Sequence, residues 1–498
     1  LKRFAAALAT RPACGLHGCM NEVTGFVRIE NDFLQGCRSI VNIKSFRPGE
    51  VVLREKPLVD CEVDRDQMRL MSFLKLNAQL QAEFLKTFTE LELSQRGLSV
   101  DEVDLTPYEQ LSGELKGQAD SLTKREVASV MLRWGLVRSI SKIRMFKLIS
   151  KLMHSCAAPV EFDYNIDVCM GVVTARYEFP PQTRIGAWLL EDVDFWWKGA
   201  DVRSEQLQAE GVLHQACRCE RCEGADACRA VKCPGCNDGE VRRHQKAKRW
   251  KCISCDFEGS DDAVAGFIQV EQQLVRELSD LGSFPKDELR PWLDTVQTRV
   301  GLRHWTAAAL WKEIFRRHTG RKSEQSFTST WAALNFLEWL ASRELTRPPQ
   351  PLCAELAAMA FHALDFLQSR ITGVRDLRIV FLRAVDLVKL VLESIDRRLL
   401  DKMKPHAGAA VNIRRTCGFC KSRLPEPGPE EEDLPPSACE EEDGCAEDRP
   451  VTCGICQELT YCDMGCQVSD LKRHKPYCLP KNDGFSSQRV SEIFFPTR

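Results

Sequence analysis

Soft metal ligands recur through this sequence at spacings that suit zinc. Cys453-x2-Cys456-x5-Cys462-x3-Cys466-x7-His474-x3-Cys478, with Cys417-x2-Cys420 upstream, supplies eight ligands, enough for two tetrahedral sites. Zinc takes thiolate and imidazole at about 2.0 to 2.3 Å, and an x2 spacing lets one tight turn aim both sulfurs at one ion. His474 and Cys478, four residues apart, fall on one face of a helix. Cys439 and Cys445 lie between the first pair and the rest and compete as ligands, at an x5 spacing that fits less well. A second set, Cys233-x2-Cys236 and Cys252-x2-Cys255, has the spacing of a zinc ribbon with two hairpin arms between the pairs. A third, CRCERC, offers Cys217, Cys219 and Cys222 and needs a fourth ligand from elsewhere.

The composition says where such chemistry belongs. Twenty-four cysteines in 498 residues would suggest disulfides in a secreted chain, but FAAALA near the start is too short for a signal core. No stretch reaches the roughly 18 uncharged apolar residues of a membrane span. The expected compartment is cytosol or nucleus, where clustered C-x2-C pairs are metal sites more often than bridges. A formal net charge of -2 argues against a dedicated nucleic-acid footprint and for protein partners. The basic run VRRHQKAKRWK, inside the ribbon, could touch an acidic partner or act as a nuclear address, and is also what a solvated hairpin carries. A nucleic-acid binder read from that run alone ranks below protein binding.

Several elements must position these ligands. From about Phe26 to Val63 the text reads as short strands, with FRPGEVVLREKPLV turning at Pro48-Gly49. Residues 66–95 and 123–153 carry apolar positions at helical spacing, among them Met68, Leu70, Met71, Leu74, Leu76 and Leu80, and strand-like text returns at Val160 to Leu190. Residues 263–404 hold one cysteine, Cys353, and long amphipathic runs; Leu352, Leu356, Met359, Ala360, Ala363 and Leu367 mark one helix face. Stacked helix pairs and an irregular bundle both fit this pattern. The acidic, proline-rich stretch from Leu424 to Pro450 lacks the apolar surface to fold alone.

The order of the last ligands resembles the MYND finger, a protein-binding zinc module with two interleaved sites. That resemblance implies one zinc on Cys417, Cys420, Cys462 and Cys466 and another on Cys453, Cys456, His474 and Cys478, with the acidic loop between Cys420 and Cys453 much longer than the family's usual spacer. Upstream, FRPGEVVLREKPLV is similar to the opening strands of a SET domain, MHSC to its NHSC motif, and CRCERC to the cysteine-rich segment that follows. The chain as a whole therefore resembles the SET-and-MYND protein-lysine methyltransferases. The implied fold is α+β: a SET-like domain over 26–216 with a helical insertion at 66–153, a cysteine-rich segment and zinc ribbon over 217–260, a helical TPR-like domain over 263–404, and a MYND-type finger over 417–478 with acidic loop 424–450.

The same resemblance joins Cys156 to Cys217, Cys219 and Cys222, giving about four zinc ions in all. It implies S-adenosylmethionine as methyl donor, held near Arg38, Met153 and His154, and a protein substrate or proline-rich peptide as partner. It would place a peptide groove beside the helix carrying His474, with Gln467 and the neighbourhood of Leu471 as contacts, where ordinary exposed helix residues fit slightly better. The departures lie where chemistry should be: Gly36-Cys37-Arg38-Ser39 replaces a glycine-rich cofactor turn, Met153 stands for asparagine, Leu213 stands for an aromatic hydroxyl, and Trp188 and Leu189 stand where a catalytic tyrosine is expected. No residue is assigned as catalytic. A catalytically degenerate scaffold that binds protein partners is the alternative.

Overall fold

Short runs of alternating apolar residues, separated by turns, build the first part of the chain, and long apolar-striped helices build the second. The computed structural model describes residues 26–494 apart from 33–36, 58, 62–69, 71–72, 89–105, 110–112, 125, 128–136, 140–141, 147, 150–151, 166, 191, 210–216, 237–238, 280, 286–287, 320–323, 344, 346–347, 372–376, 396–398, 419–420, 425–449, 482 and 486–487. Two compact units result, one of Leu1–Asp192 with Arg203–Cys222, the other of Val193–Val202 with Glu223–Arg498. Among the described residues, no helix is long and apolar enough to cross a membrane.

The first unit contains β1 (Val27–Asp32), β2 (Cys37–Asn42), β3 (Val51–Glu55), β4 (Val59–Cys61), α1 (Ala78–Phe88), β5 (Val137–Ser139), β6 (Lys142–Met145), β7 (Met153–His154), β8 (Val160–Asn165), β9 (Met170–Ala175), β10 (Arg184–Ala187) and most of α2 (Ala200–Ala209). Three small sheets form, in the orders β1-β2-β10-β7, β3-β9-β8 and β4-β6-β5. β7 pairs with β10 in parallel, Gly186 opposite Met153 and Ala187 opposite His154. A Cβ on Gly186 would lie 2.8 Å from that of Ser155, so only glycine lets β7 come this close. Phe46, Val52, Leu53, Phe146, Val173 and Phe179 share the core. The buried Glu55 carboxylate accepts the backbone N–H groups of Leu148 and Ile149 at 2.9 Å, satisfying donors that burial would otherwise strand. Apolar spacing over 123–153 suggested helix, yet β5 and β6 lie there. Val137 and Ile143 are β-branched and favour extended backbone, and β6 is held by antiparallel pairing with β4 and β5, so strand pairing prevailed over the helical spacing.

The second unit opens with an antiparallel ribbon, β11 (Ala225–Lys232), β12 (Glu240–His244), β13 (Arg249–Cys252) and β14 (Glu258–Gly259), in sequence order. Helices follow: α3 (Ala265–Glu277), α4 (Leu289–Arg299), α5 (Trp305–His318), α6 (Glu324–Ser342), α7 (Gln350–Arg370), α8 (Arg378–Ile395) and α9 (Leu400–Arg414), each packed on the next from α4 onward. In α7, Leu352, Leu356, Met359, Ala360, Ala363 and Leu367 are all buried. The unit ends with β15 (Val451–Thr452), β16 (Thr460–Tyr461), α10 (Met464–His474) and α11 (Gln488–Phe494).

Buried ion pairs fasten ribbon to helices and helices to the cysteine-rich end. Arg229 on β11 meets Glu271 on α3 at 2.6 Å. Thr306 N–H donates to His304 Nδ1, so the ring proton sits on Nε2 and donates to Glu271 Oε1 at 2.9 Å. Burial pushes the Glu271 carboxyl up, but the His304 and Arg229 contacts outweigh it and hold the group at about 2. At the other end, Arg378 of α8 donates to the Gly418 carbonyl at 2.6 Å and pairs with Asp470 of α10 at 3.3 Å. Asp470 also accepts from Tyr461 at 3.0 Å and pairs with Arg473 at 2.7 Å, and Arg473 donates to Gly418. Arg378, Tyr461 and Asp470 are all buried. Arg378→Met leaves Asp470 paired with Arg473 and Tyr461, so it removes charge-assisted hydrogen bonds without stranding the carboxylate and destabilises the finger by about 1.5 to 3 kcal/mol. Hydrogen exchange should show faster opening of α10 amides while α5 and α6 amides keep their protection.

Candidate metal centres

Among the described residues, four groups of cysteine and histidine side chains converge, the ligand atoms of each group lying within 4.8 Å of one another. They are Cys156 with Cys217, Cys219 and Cys222; Cys233 with Cys236, Cys252 and Cys255; Cys453 with Cys456, His474 and Cys478; and Cys417 with Cys462 and Cys466. A tetrahedron with zinc–sulfur bonds of about 2.3 Å sets its sulfurs about 3.8 Å apart. The sulfur pairs found are Cys156–Cys222 at 3.5 Å, Cys233–Cys255 at 3.6 Å, Cys236–Cys252 at 3.8 Å, Cys453–Cys478 at 3.8 Å and Cys462–Cys466 at 3.3 Å. His474 Nε2 lies 3.3 Å from Cys453 Sγ and 3.7 Å from Cys456 Sγ. These separations are far beyond a disulfide and close to tetrahedral edges, so the donor sets fit zinc.

The Cys156 cluster is built at the end of β7. Ser155 N–H donates to the Ala187 carbonyl at 2.9 Å, which turns the chain so that Cys156 points into the unit, where it is 1% exposed. The turn closed by Cys222 N–H on the Cys219 carbonyl brings the later cysteines to it. Crowding thiols here pulls their acidities apart. Hydrogen bonds from Cys217 and Cys219 hold the Cys156 thiol well below its ordinary range, whereas the bond to Cys156 pushes Cys217 far above it. The cluster cannot ionise every sulfur unaided; a divalent cation removes that conflict, which is why such sites bind metal and release protons.

The ribbon cluster hangs from two knuckles. Gly235 N–H donates to Cys233 Sγ and Ser254 N–H to Cys252 Sγ, both at 3.3 Å. A Cβ on Gly239 would sit 2.6 Å from the sulfurs of Cys236 and Cys252, so the chain passes the metal position only as glycine. At the last two clusters, Gln457 and Lys421 each follow a C-x2-C pair by one residue and each adopt a left-handed backbone, φ 56 and φ 65. Asp463 caps α10, accepting Cys466 N–H at 2.6 Å, and so aims Cys466 at Cys462 and Cys417. The aspartate ahead of the helix was a readable start signal that the ligand spacing overshadowed. Cys420, Cys439, Cys445, Leu213 and Gly36 lie outside the described residues.

The three expected cofactor contacts stand differently. Arg38 pairs with Asn31 in the β1–β2 ladder, and its side chain is outside the description. Met153 is half-buried on β7. His154 is 4% exposed and uses both ring nitrogens on protein partners: Nδ1 lies 3.3 Å from Leu189 N and Nε2 lies 3.2 Å from Cys156 Sγ. Arg203 on α2, whose Nη2 reaches Cys222 Sγ at 3.4 Å, carried no signal in the sequence because its partner is 19 residues away and off any helical repeat.

Among known families, residues 437–478 match the MYND finger. No curated protein matches the chain. The matched segment is thus a MYND zinc finger, a module of protein interaction, and it holds Cys439 and Cys445 but not Cys417. The spatial cluster, in contrast, draws in Cys417. The fourth ligand beside Cys417, Cys462 and Cys466 decides between them. The paired left-handed knuckles favour Cys420, so Cys420→Ser should lose one zinc per chain by elemental analysis, whereas Cys439→Ser and Cys445→Ser should lose none.

Proposed function

We propose that this chain is a SET-type protein-lysine N-methyltransferase that uses S-adenosylmethionine, is stapled by zinc, and recruits protein partners through its MYND finger. The observation that carries the reading is the joining of Cys156, two residues past His154, to Cys217, Cys219 and Cys222 in one buried cluster. That is the union the MHSC and CRCERC motifs lead one to expect. The reading takes 26–216 as the SET-like domain, 217–260 as cysteine-rich segment and ribbon, 263–404 as the TPR-like domain and 417–478 as the finger.

S-adenosylmethionine, when bound, supplies a methyl group on an electrophilic sulfonium. The protein's part is position: a neutral lysine amine held in line with that methyl, away from water. One buried donor suits a ligand here, since Trp188 Nε1 has no hydrogen-bond partner among the described residues. Trp188 also packs against His154, ring centroids 5.0 Å apart. With the His154 ring engaged, the backbone near Arg38, Met153 and His154 is what remains to hold the cofactor. On the finger, Leu471 is half exposed on α10, beside Gln467, and offers a proline-rich peptide an apolar contact.

A second reading keeps the scaffold and drops the chemistry. Its support is the fate of the tyrosines: Tyr177 donates its hydroxyl to the Ala157 carbonyl at 3.0 Å, and the Arg144 guanidinium covers the Tyr164 ring at 3.6 Å. Both are engaged in holding the fold, and Trp188 and Leu189 carry no hydroxyl to orient a methyl group. Isothermal titration of S-adenosylmethionine into zinc-loaded protein separates the two. The enzyme reading expects micromolar binding that weakens about tenfold in Trp188→Phe; no binding at millimolar cofactor leaves the scaffold.

A further inference from the structure

A zinc ion held by four thiolates carries a net charge of about -2, and burying that charge is costly unless donors surround it. Cys156 and Cys222 are 1% and 7% exposed, so water reaches little of this cluster. Two side chains from outside the ligand set supply N–H groups. Arg203 is fully buried, on the same face of α2 as the buried Leu207, and its Nη2 lies 3.4 Å from Cys222 Sγ. His154 lies on the other side. A backbone N–H can only donate, so Leu189 N–H makes His154 Nδ1 an acceptor and places the ring proton on Nε2. That proton points at Cys156 Sγ, 3.2 Å away.

We propose that His154 and Arg203 form the charge-compensating outer shell of the Cys156, Cys217, Cys219 and Cys222 zinc site, and that His154 ties this site to the Trp188–Leu189 backbone. One imidazole then reads the metal with one nitrogen and the chain with the other. When Cys156 is a zinc-bound thiolate, it is a strong acceptor that holds the ring in one tautomer, and Nδ1 in turn holds Leu189. The ribbon cluster works differently, with backbone N–H groups from Gly235 and Ser254 on its sulfurs. The finger cluster replaces one thiolate by His474 and so carries one negative charge fewer. The inference rests on zinc occupancy of this cluster and is independent of methyl transfer.

The test uses the full zinc-loaded chain and reads each cysteine separately, by the rate of alkylation with N-ethylmaleimide in peptide-resolved mass spectrometry. Arg203→Met and His154→Ala should raise alkylation at Cys156, Cys217, Cys219 and Cys222 roughly tenfold, the worth of one charge-assisted hydrogen bond, with the ribbon and finger cysteines unchanged. Arg203→Lys, which keeps charge and donor, should restore most of the protection. A long-range proton–nitrogen spectrum of histidine-labelled protein should show His154 protonated on Nε2 alone. If neither variant changes alkylation while zinc content stays complete, or if the proton sits on Nδ1, the outer shell is overturned. Should elemental analysis instead show this cluster without zinc in the unmodified chain, it is the metal site itself that fails.

Discussion

Thiolates that repel one another at close range cannot be gathered in a protein interior without a cation, and much of this molecule is arranged around that constraint. In the first unit a cysteine at the end of a two-residue strand meets three others from more than sixty residues along the chain. The core around Phe46, Val52 and Phe179 could pack without that junction, but the β7–β10 pair could not be held to the later cysteines. A metal that binds only the folded arrangement contributes its binding energy to folding. In the second unit two hairpin knuckles and the finger obey the same logic, with little apolar core of their own to fall back on.

The finger's attachment shows what zinc does not do. The metal fixes the local turns, but the placement of α10 against α8 depends on one buried carboxylate, Asp470, shared among Arg378, Arg473 and Tyr461. Burial and the Asp470 charge together hold the Tyr461 hydroxyl firmly protonated, so it remains a donor. Further along, Arg383 of α8 donates to the carbonyls of Leu479 and Asp483, and Glu338 of α6 accepts the Phe485 N–H. A protein-interaction finger held this way presents its exposed apolar residues, Met464, Val468 and Leu471, from a fixed base.

The cysteine and histidine clusters were legible because zinc imposes spacing: C-x2-C pairs and a histidine four residues before a cysteine are short-range patterns that survive without knowledge of the fold. The apolar face of α7 was legible for the same reason, a local period. What the sequence hid is non-local. Nothing near Arg203 or Arg378 in the chain announces a sulfur or a carboxylate as its partner, and nothing near His154 announces Leu189, 35 residues away. Over 123–153 the three-to-four spacing suggested helix, and the pairing of β6 with β4, about eighty residues earlier in the chain, decided the structure instead. Pairing of the finger's first site hinges on residues on both sides of a long acidic segment, and spacing alone leaves that pairing open.

The central claim is that the cysteines are metal-held and reduced. The most direct measurement is the mass of the intact chain sprayed under native conditions beside the same chain denatured in acid. Four zinc ions in the native state, all lost together with full retention of free thiols on acid denaturation, is the result expected from the four clusters. A native mass with no zinc, or one lighter by the hydrogens lost to disulfides, would contradict it.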